Sequence, residues 1–253
     1  MTELQKYCFG FIFVILIAMN TEQQLKFSPT VFTIPFLFVF TIWLVYWIEI
    51  KFGWNFNKFG VFPRNFSGLK GVLCSPFIHS DTKHLFNNSV PLFVLSACLF
   101  YFYKEVAIKV LLFGGIITGL LTWLIARESY HIGASGIVYL LFSFVLFSGI
   151  IKKNYRLVAV SFITIFLYGS MVWYVLPIKE GMSWEGHLSG LITGIVLALL
   201  YKNKGIIKER FEFSKTEFDD MFDENGNYIP PIVEEVELEL KEIKYRYIYK
   251  EEE

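Results

Sequence analysis

The stretch Gly186-His187-Leu188-Ser189-Gly190-Leu191-Ile192-Thr193-Gly194 sets one ionisable side chain at the head of a run of apolar and small residues. Positions 187, 190 and 194 are spaced i, i+3 and i+7, so on a helix they share one face. Two glycines below a histidine let such a helix lie very close to a neighbour while presenting an imidazole to it. The competing reading is a packing stripe with an interfacial histidine. That reading leaves unexplained why the imidazole tops the small residues.

The rest of the chain places this stretch in lipid. Of 253 residues, 55% are hydrophobic, 19% aromatic and 18% charged, against roughly 45–50% apolar and about 25% charged for a soluble domain. Mean hydropathy is +0.49, and the charges concentrate toward the C-terminal end. A bilayer-spanning helix needs about 20 mostly apolar residues. Six windows qualify or nearly do: 30–50, 84–103, 106–126, 133–151, 156–176 and 187–201. The expected fold is therefore an all-α membrane protein, a bundle of six transmembrane helices. Lys104, Lys109, Lys152, Lys153, Arg156, Lys202, Lys204, Lys208 and Arg210 fall in or beside alternate loops or the tail, whereas the other short loops hold Arg127 and Lys179. The positive-inside rule then puts the C-terminus in the cytoplasm of a multi-pass protein, with a bacterial cytoplasmic membrane as the expected setting.

Three regions flank or interrupt the core. Residues 1–29 hold an apolar segment at 7–19 that is too short to span comfortably. It reads as a short extra helix, an interfacial segment, or residues ahead of a true start at Met19. Residues 51–83, aromatic and mixed, suit an element lying at the outer interface. Residues 202–253 form a soluble tail, with a turn-like Glu224-Asn225-Gly226-Asn227 that would join a short strand pair. The domain reading is thus 1–29, a core over 30–201, and a cytoplasmic tail over 202–253.

The chain has four histidines, His79, His84, His131 and His187, all at or near the outer ends of expected spans. Ionisable groups at such positions are functional by default. Ser135 sits in Gly133-Ala134-Ser135-Gly136, where flanking glycines leave its hydroxyl unobstructed; the bland alternative is small-residue packing. His84 and Asn88 stand i, i+4 on one face, and both can donate hydrogen bonds to an oxyanion; inter-helix polar contacts would explain either alone. Tyr139 lies one turn below Ser135, placed to support an imidazole. From Ser135 to Ile151, His187 to Tyr201 and Asn88 to Tyr103 the chain supplies roughly 25, 22 and 24 Å of helix. Against a core about 30 Å thick, a nucleophile, a base and an oxyanion donor then reach one depth below the outer surface.

That set predicts nucleophilic acyl transfer, with His187 taking the Ser135 proton. No span interior carries a carboxylate to orient the base, so a dyad is the economical reading. His131 is a rival base, four residues before Ser135, but its place ahead of the helix sets it too shallow. His187→Ala is expected to abolish turnover and His131→Ala to leave most of it. The three cysteines show no ligand spacing, and the histidines form no metal-binding pattern, so neither a metal nor another cofactor is expected. A net charge of zero offers no case for nucleic acid.

His79-x4-His84-x3-Asn88, Gly133-x-Ser135-Gly136 and His187-x2-Gly190-x3-Gly194, in this order over residues 30–201, resemble the rhomboid family of intramembrane serine proteases. The resemblance implies a rhomboid-like six-helix core, with Ser135 as nucleophile and His187 as its base. It places Asn88, His84 and the Ser135 N–H around the oxyanion, with Gly133 in the same group. Tyr139 would lie beneath the base, with His79 near the water-access region, and Gly136, Gly190 and Gly194 would support the helix contact. Residues 177–186, including Met182, Ser183 and Trp184, would form a mobile cap. A Trp-Arg pair common in the family's first loop is replaced here by Gly68-Leu69-Lys70-Gly71, which leaves that loop's anchoring open.

The expected partners are membrane-protein substrates, single-span by resemblance, and the lipid bilayer itself; the sequence leaves oligomeric state open. The alternative is an inactive, client-binding relative, which would ordinarily lack the serine or the histidine. A transporter would need charged groups deep in its spans and would often show related halves; the sequence shows neither.

Overall fold

The computed structural model describes residues 28–167, 173–178, 181–205, 216, 218–229, 245–247 and 249. The apolar segment 7–19 lies outside the described residues, as does much of the tail.

Among the described residues six longer helices follow one another: α1 (Thr30–Phe52), α2 (Thr82–Phe102), α3 (Ala107–Ile125), α4 (Ser135–Ile151), α5 (Tyr155–Leu167) and α6 (Trp184–Leu200). The described residues contain no strand beyond two isolated bridges. α1, α2 and α3 are long and apolar enough to cross a membrane, with mean hydropathies of 2.2, 1.5 and 2.0. α4 and α6 have 17 residues each, about 25 Å of helix against a core of about 30 Å. The window 156–176 resolves into α5 and a 3-10 turn at Trp173–Val175, with 168–172 outside the described residues.

Several hydroxyls inside these helices are satisfied locally. Ser89, Ser143, Ser161 and Thr193 each donate to the carbonyl four residues earlier, at 2.7–2.9 Å. A hydroxyl spent on its own helix leaves little polarity to desolvate, so such residues sit in an apolar bundle cheaply.

α4 is the central element. It packs against α2, α3, α5 and most extensively α6, and Leu140, Leu141, Phe144 and Val145 are fully enclosed. The α4–α6 approach depends on missing side chains: a Cβ at Gly190 would overlap the Gly136 carbonyl, and one at Gly194 would overlap Ser143 Oγ and the Leu140 carbonyl. α1 packs chiefly on α2, with Trp43 Nε1 donating to Ser89 Oγ at 2.9 Å. It also carries Phe32, Phe36 and Phe40, half exposed and stacked in succession, as suits a surface solvated by lipid, with Phe32 set edge-on against Phe93 of α2 at 5.3 Å.

The first loop is anchored without the Trp-Arg pair. Val61 and His131 exchange both backbone hydrogen bonds at 2.9 Å, and the Arg64 amide donates to the Trp123 carbonyl. Arg64 Nη1 donates to the Ala126 carbonyl at 2.8 Å, and Trp123 Nε1 returns a bond to the Asn65 carbonyl at 2.9 Å.

Lys208–Glu253 form a separate unit. Within it the Asp223 carboxylate closes a turn by accepting from the Asn225 and Asn227 amides, both at 2.8 Å, below a bridge between Phe222 and Tyr228.

Candidate active site

The site is built where α4 and α6 begin. Gly133 adopts φ +106°, a conformation open to glycine, and its amide donates to the Ser75 carbonyl at 2.9 Å. The chain turns there so that Ser135 becomes the first residue of α4. Its N–H is one of the amides a helix start leaves without an intrahelical partner, where negative charge is favoured.

Ser135 Oγ lies 2.9 Å from His187 Nε2. His187 Nδ1 lies 2.7 Å from the Tyr174 carbonyl, and a carbonyl only accepts. Nδ1 therefore carries the imidazole proton and Nε2 presents a lone pair to the serine hydroxyl. The orienting group that a dyad reading leaves out is thus a main-chain carbonyl. The Tyr139 ring stacks on the His187 ring at a centroid distance of 4.3 Å and 16°.

Across the gap from Ser135, α2 contributes His84 and Asn88. Asp81 starts this helix by accepting the His84 amide at 2.8 Å, and that bond holds its carboxyl below the usual range. His84 Nε2 would stand 2.8 Å, and Asn88 Nδ2 3.6 Å, from a Cβ added to Gly133. Both side chains therefore converge on the space beside the Ser135 turn. Asn88 is buried and its Nδ2 has no hydrogen-bond partner. Ser80 Oγ spends its proton on Asp81 Oδ2 at 2.7 Å and so accepts from His84 Nδ1 at 3.2 Å. In that arrangement His84 Nε2 is a donor only in the imidazolium form, whereas Asn88 Nδ2 is a donor always. His79, buried behind them, packs edge-on against His84 at 5.1 Å. Burial, with His84 second, depresses its pKa to about 4.

His131 has both ring nitrogens engaged elsewhere, Nδ1 with Ser183 Oγ at 2.6 Å and Nε2 with the Arg127 carbonyl at 3.0 Å. Burial lowers its pKa as well. α6 starts at Trp184 rather than 187, which puts Glu185 in its first turn, buried and 3.7 Å from Arg127 Nη1. Glu185 lies ahead of the expected window 187–201, at the helix end and not in a span interior. The sequence signal was present in Ser183-Trp184-Glu185, a hydroxyl followed by an acid at a helix start. The Tyr174 carbonyl had no signal, since every residue has one.

A cavity of about 40 Å³ adjoins Ser135, lined among others by Ser75, Thr118, Thr122, His131, Gly136 and Ser183. That is room for water among polar groups.

A bundle of apolar helices with a hydroxyl–imidazole pair at one end defines an integral membrane protein. A family model of the rhomboid domain matches residues 67–204. Uncharacterized proteins of Mycobacterium tuberculosis and Mycobacterium bovis are each 33% identical over 177 residues, 64% of this chain and 72% of theirs. One of Mycobacterium leprae is 31% identical over 142 residues, 52% of this chain and 56% of its own. The chain belongs to the rhomboid family.

Proposed function

We propose that this protein is an intramembrane serine endopeptidase that cuts membrane-spanning segments of other proteins near the outer membrane face. The observation that carries the reading is the 2.9 Å contact of Ser135 Oγ with a His187 Nε2 left unprotonated by the Tyr174 carbonyl on Nδ1. Ser135 attacks the scissile carbonyl as its proton passes to His187 Nε2, which then protonates the leaving amine. Asn88 Nδ2 and the Ser135 N–H receive the tetrahedral oxyanion, with His84 and Gly133 bordering the same space. Water from the adjoining cavity gives its proton to His187 and attacks the acyl-enzyme, and the proton returns to Ser135. Tyr139 holds the imidazole plane, His79 backs His84, and Gly136, Gly190 and Gly194 keep α4 and α6 close.

The topology that goes with this chemistry has six spans over 30–201, a cytoplasmic tail over 202–253, and residence in a bacterial cytoplasmic membrane; the mycobacterial relatives support the last. Single-span proteins whose helices unwind near the outer surface are the substrates. The test compares detergent-purified wild type with Ser135→Ala, using a fluorophosphonate probe and a transmembrane model substrate. Labelling and cleavage that both vanish in the variant are the expected result. A well-folded wild type that neither labels nor cleaves overturns the reading in favour of client binding, and cleavage that survives Ser135→Ala overturns the choice of nucleophile.

A further inference from the structure

Two hydrogen bonds of reversed polarity join the same two stretches of chain. Ser135 Oγ meets His187 Nε2 at 2.9 Å. Earlier on both stretches, His131 Nδ1 meets Ser183 Oγ at 2.6 Å. Each pair is separated by 52 residues, so the two are successive rungs between segments 131–135 and 183–187, one with histidine on the first strand of chain and one with serine.

The outer rung is held on both sides. The His131 backbone is fixed to Val61 by two hydrogen bonds, and its Nε2 donates to the Arg127 carbonyl at 3.0 Å. Nδ1 is then the acceptor for the Ser183 hydroxyl. The Ser183 carbonyl in turn accepts the His187 amide at 3.3 Å, the bond that carries Ser183 into the turn bearing His187. Beside it Arg127 holds the same turn: its amide lies 3.3 Å and its Nη1 3.7 Å from Glu185 Oε1, and Nη2 donates to the Met182 carbonyl at 2.5 Å. The start of α6 is thus gripped at 182, 183 and 185 by a loop that runs directly into Ser135.

We propose that the His131–Ser183 rung, with Arg127–Glu185 beside it, is a latch that sets the register and rotation of α6, making His131 and Ser183 positioning residues for the Ser135–His187 pair. Its consequence for turnover rests on the protease reading; its geometry does not. A helix that slides by about 1 Å carries His187 out of hydrogen-bond range of Ser135, and a misplacement of that size costs on the order of 10²-fold in rate. On this assignment His131→Ala lowers turnover without abolishing it, which revises the expectation that it leaves most activity intact.

The test uses the full-length protein in detergent, labelled with ¹⁵N-histidine. Four histidines make a spectrum in which His187 is assigned by its loss in His187→Ala. Wild type is expected to show His187 as a fixed Nδ1–H tautomer. Ser183→Ala is expected to turn that signature into a tautomer average and to slow fluorophosphonate labelling at least about tenfold, at an unchanged thermal midpoint. Ser183→Thr, which keeps the hydroxyl, restores both. His131→Asn, which offers an oxygen near the place of Nδ1, is the second variant, expected to fall between them. A His187 signature unchanged in Ser183→Ala, or one as disturbed in Ser183→Thr, overturns the latch. A wild type that does not label overturns the protease reading alone, because the tautomer signature still decides the latch.

Discussion

Ser135 and His187 meet at 2.9 Å, and the groups around them differ in what they have left to give. Asn88 Nδ2 is buried and unpartnered, an uncompensated cost in a resting protein that an oxyanion would relieve. Asn88→Ala should therefore lower kcat by about 10²–10³-fold with little change in KM. His84→Ala should cost less at neutral pH, since His84 Nδ1 is already spent on Ser80; steady-state cleavage kinetics that rank the two the other way would reject this order. His79 is a separate case. Its pKa falls from 6.5 unfolded to about 4 folded through burial and the neighbouring His84. An imidazole depressed on folding binds fewer protons in the native state, so its contribution is intact above pH 6.5 and is lost as pH falls toward 4. Thermal midpoints in detergent should decline across that window, and His79→Gln should shallow the decline. His131, depressed in the same direction, supplies part of the remaining slope.

At the scale of the element, the α4–α6 contact decides whether the pair can form. A Cβ at Gly190 meets the Gly136 carbonyl, which is backbone and cannot rotate away, whereas a Cβ at Gly115 meets only the Ile137 side chain, at 3.6 and 3.9 Å, ordinary contacts. Gly190→Ala should destabilise by about 1–3 kcal/mol and slow fluorophosphonate labelling, while Gly115→Ala should do neither; equal effects would mean that α6 is not held by this approach. The stripe at 187, 190 and 194 was legible because a helix repeats its faces. The start of α6 was not, because Trp184 and Glu185 have a composition that suits a loop as well as a first turn, and it is Arg127, from a distant loop, that makes the helical position of a buried Glu185 tolerable.

For the whole molecule, the apolar windows other than the second half of 156–176 were readable as helices because a helix satisfies its own backbone. What holds the first loop down was not readable, because the bridge of Val61 to His131 and the bonds from Arg64 use main-chain partners. The boundary at the other end is clearer. Gly205 packs against Tyr103, Lys204 pairs with Glu105 at 3.7 Å, and the Lys152 ammonium donates to the Lys204 carbonyl, so the core requires the chain through these residues. A protein ending at Ile207, the last residue of the first unit, should keep its thermal midpoint and cleave at a rate within about twofold of the full chain. A truncated protein that unfolds or loses cleavage would assign residues 208–253 a share in the core.

The Tyr174 carbonyl has a consequence for how this protein can be dissected. An alanine scan exchanges side chains and leaves every main-chain oxygen in place, so it passes over the atom that fixes the His187 proton. Backbone chemistry would reach it: an ester in place of the 174–175 amide leaves a feebler acceptor at that oxygen and alters no side chain.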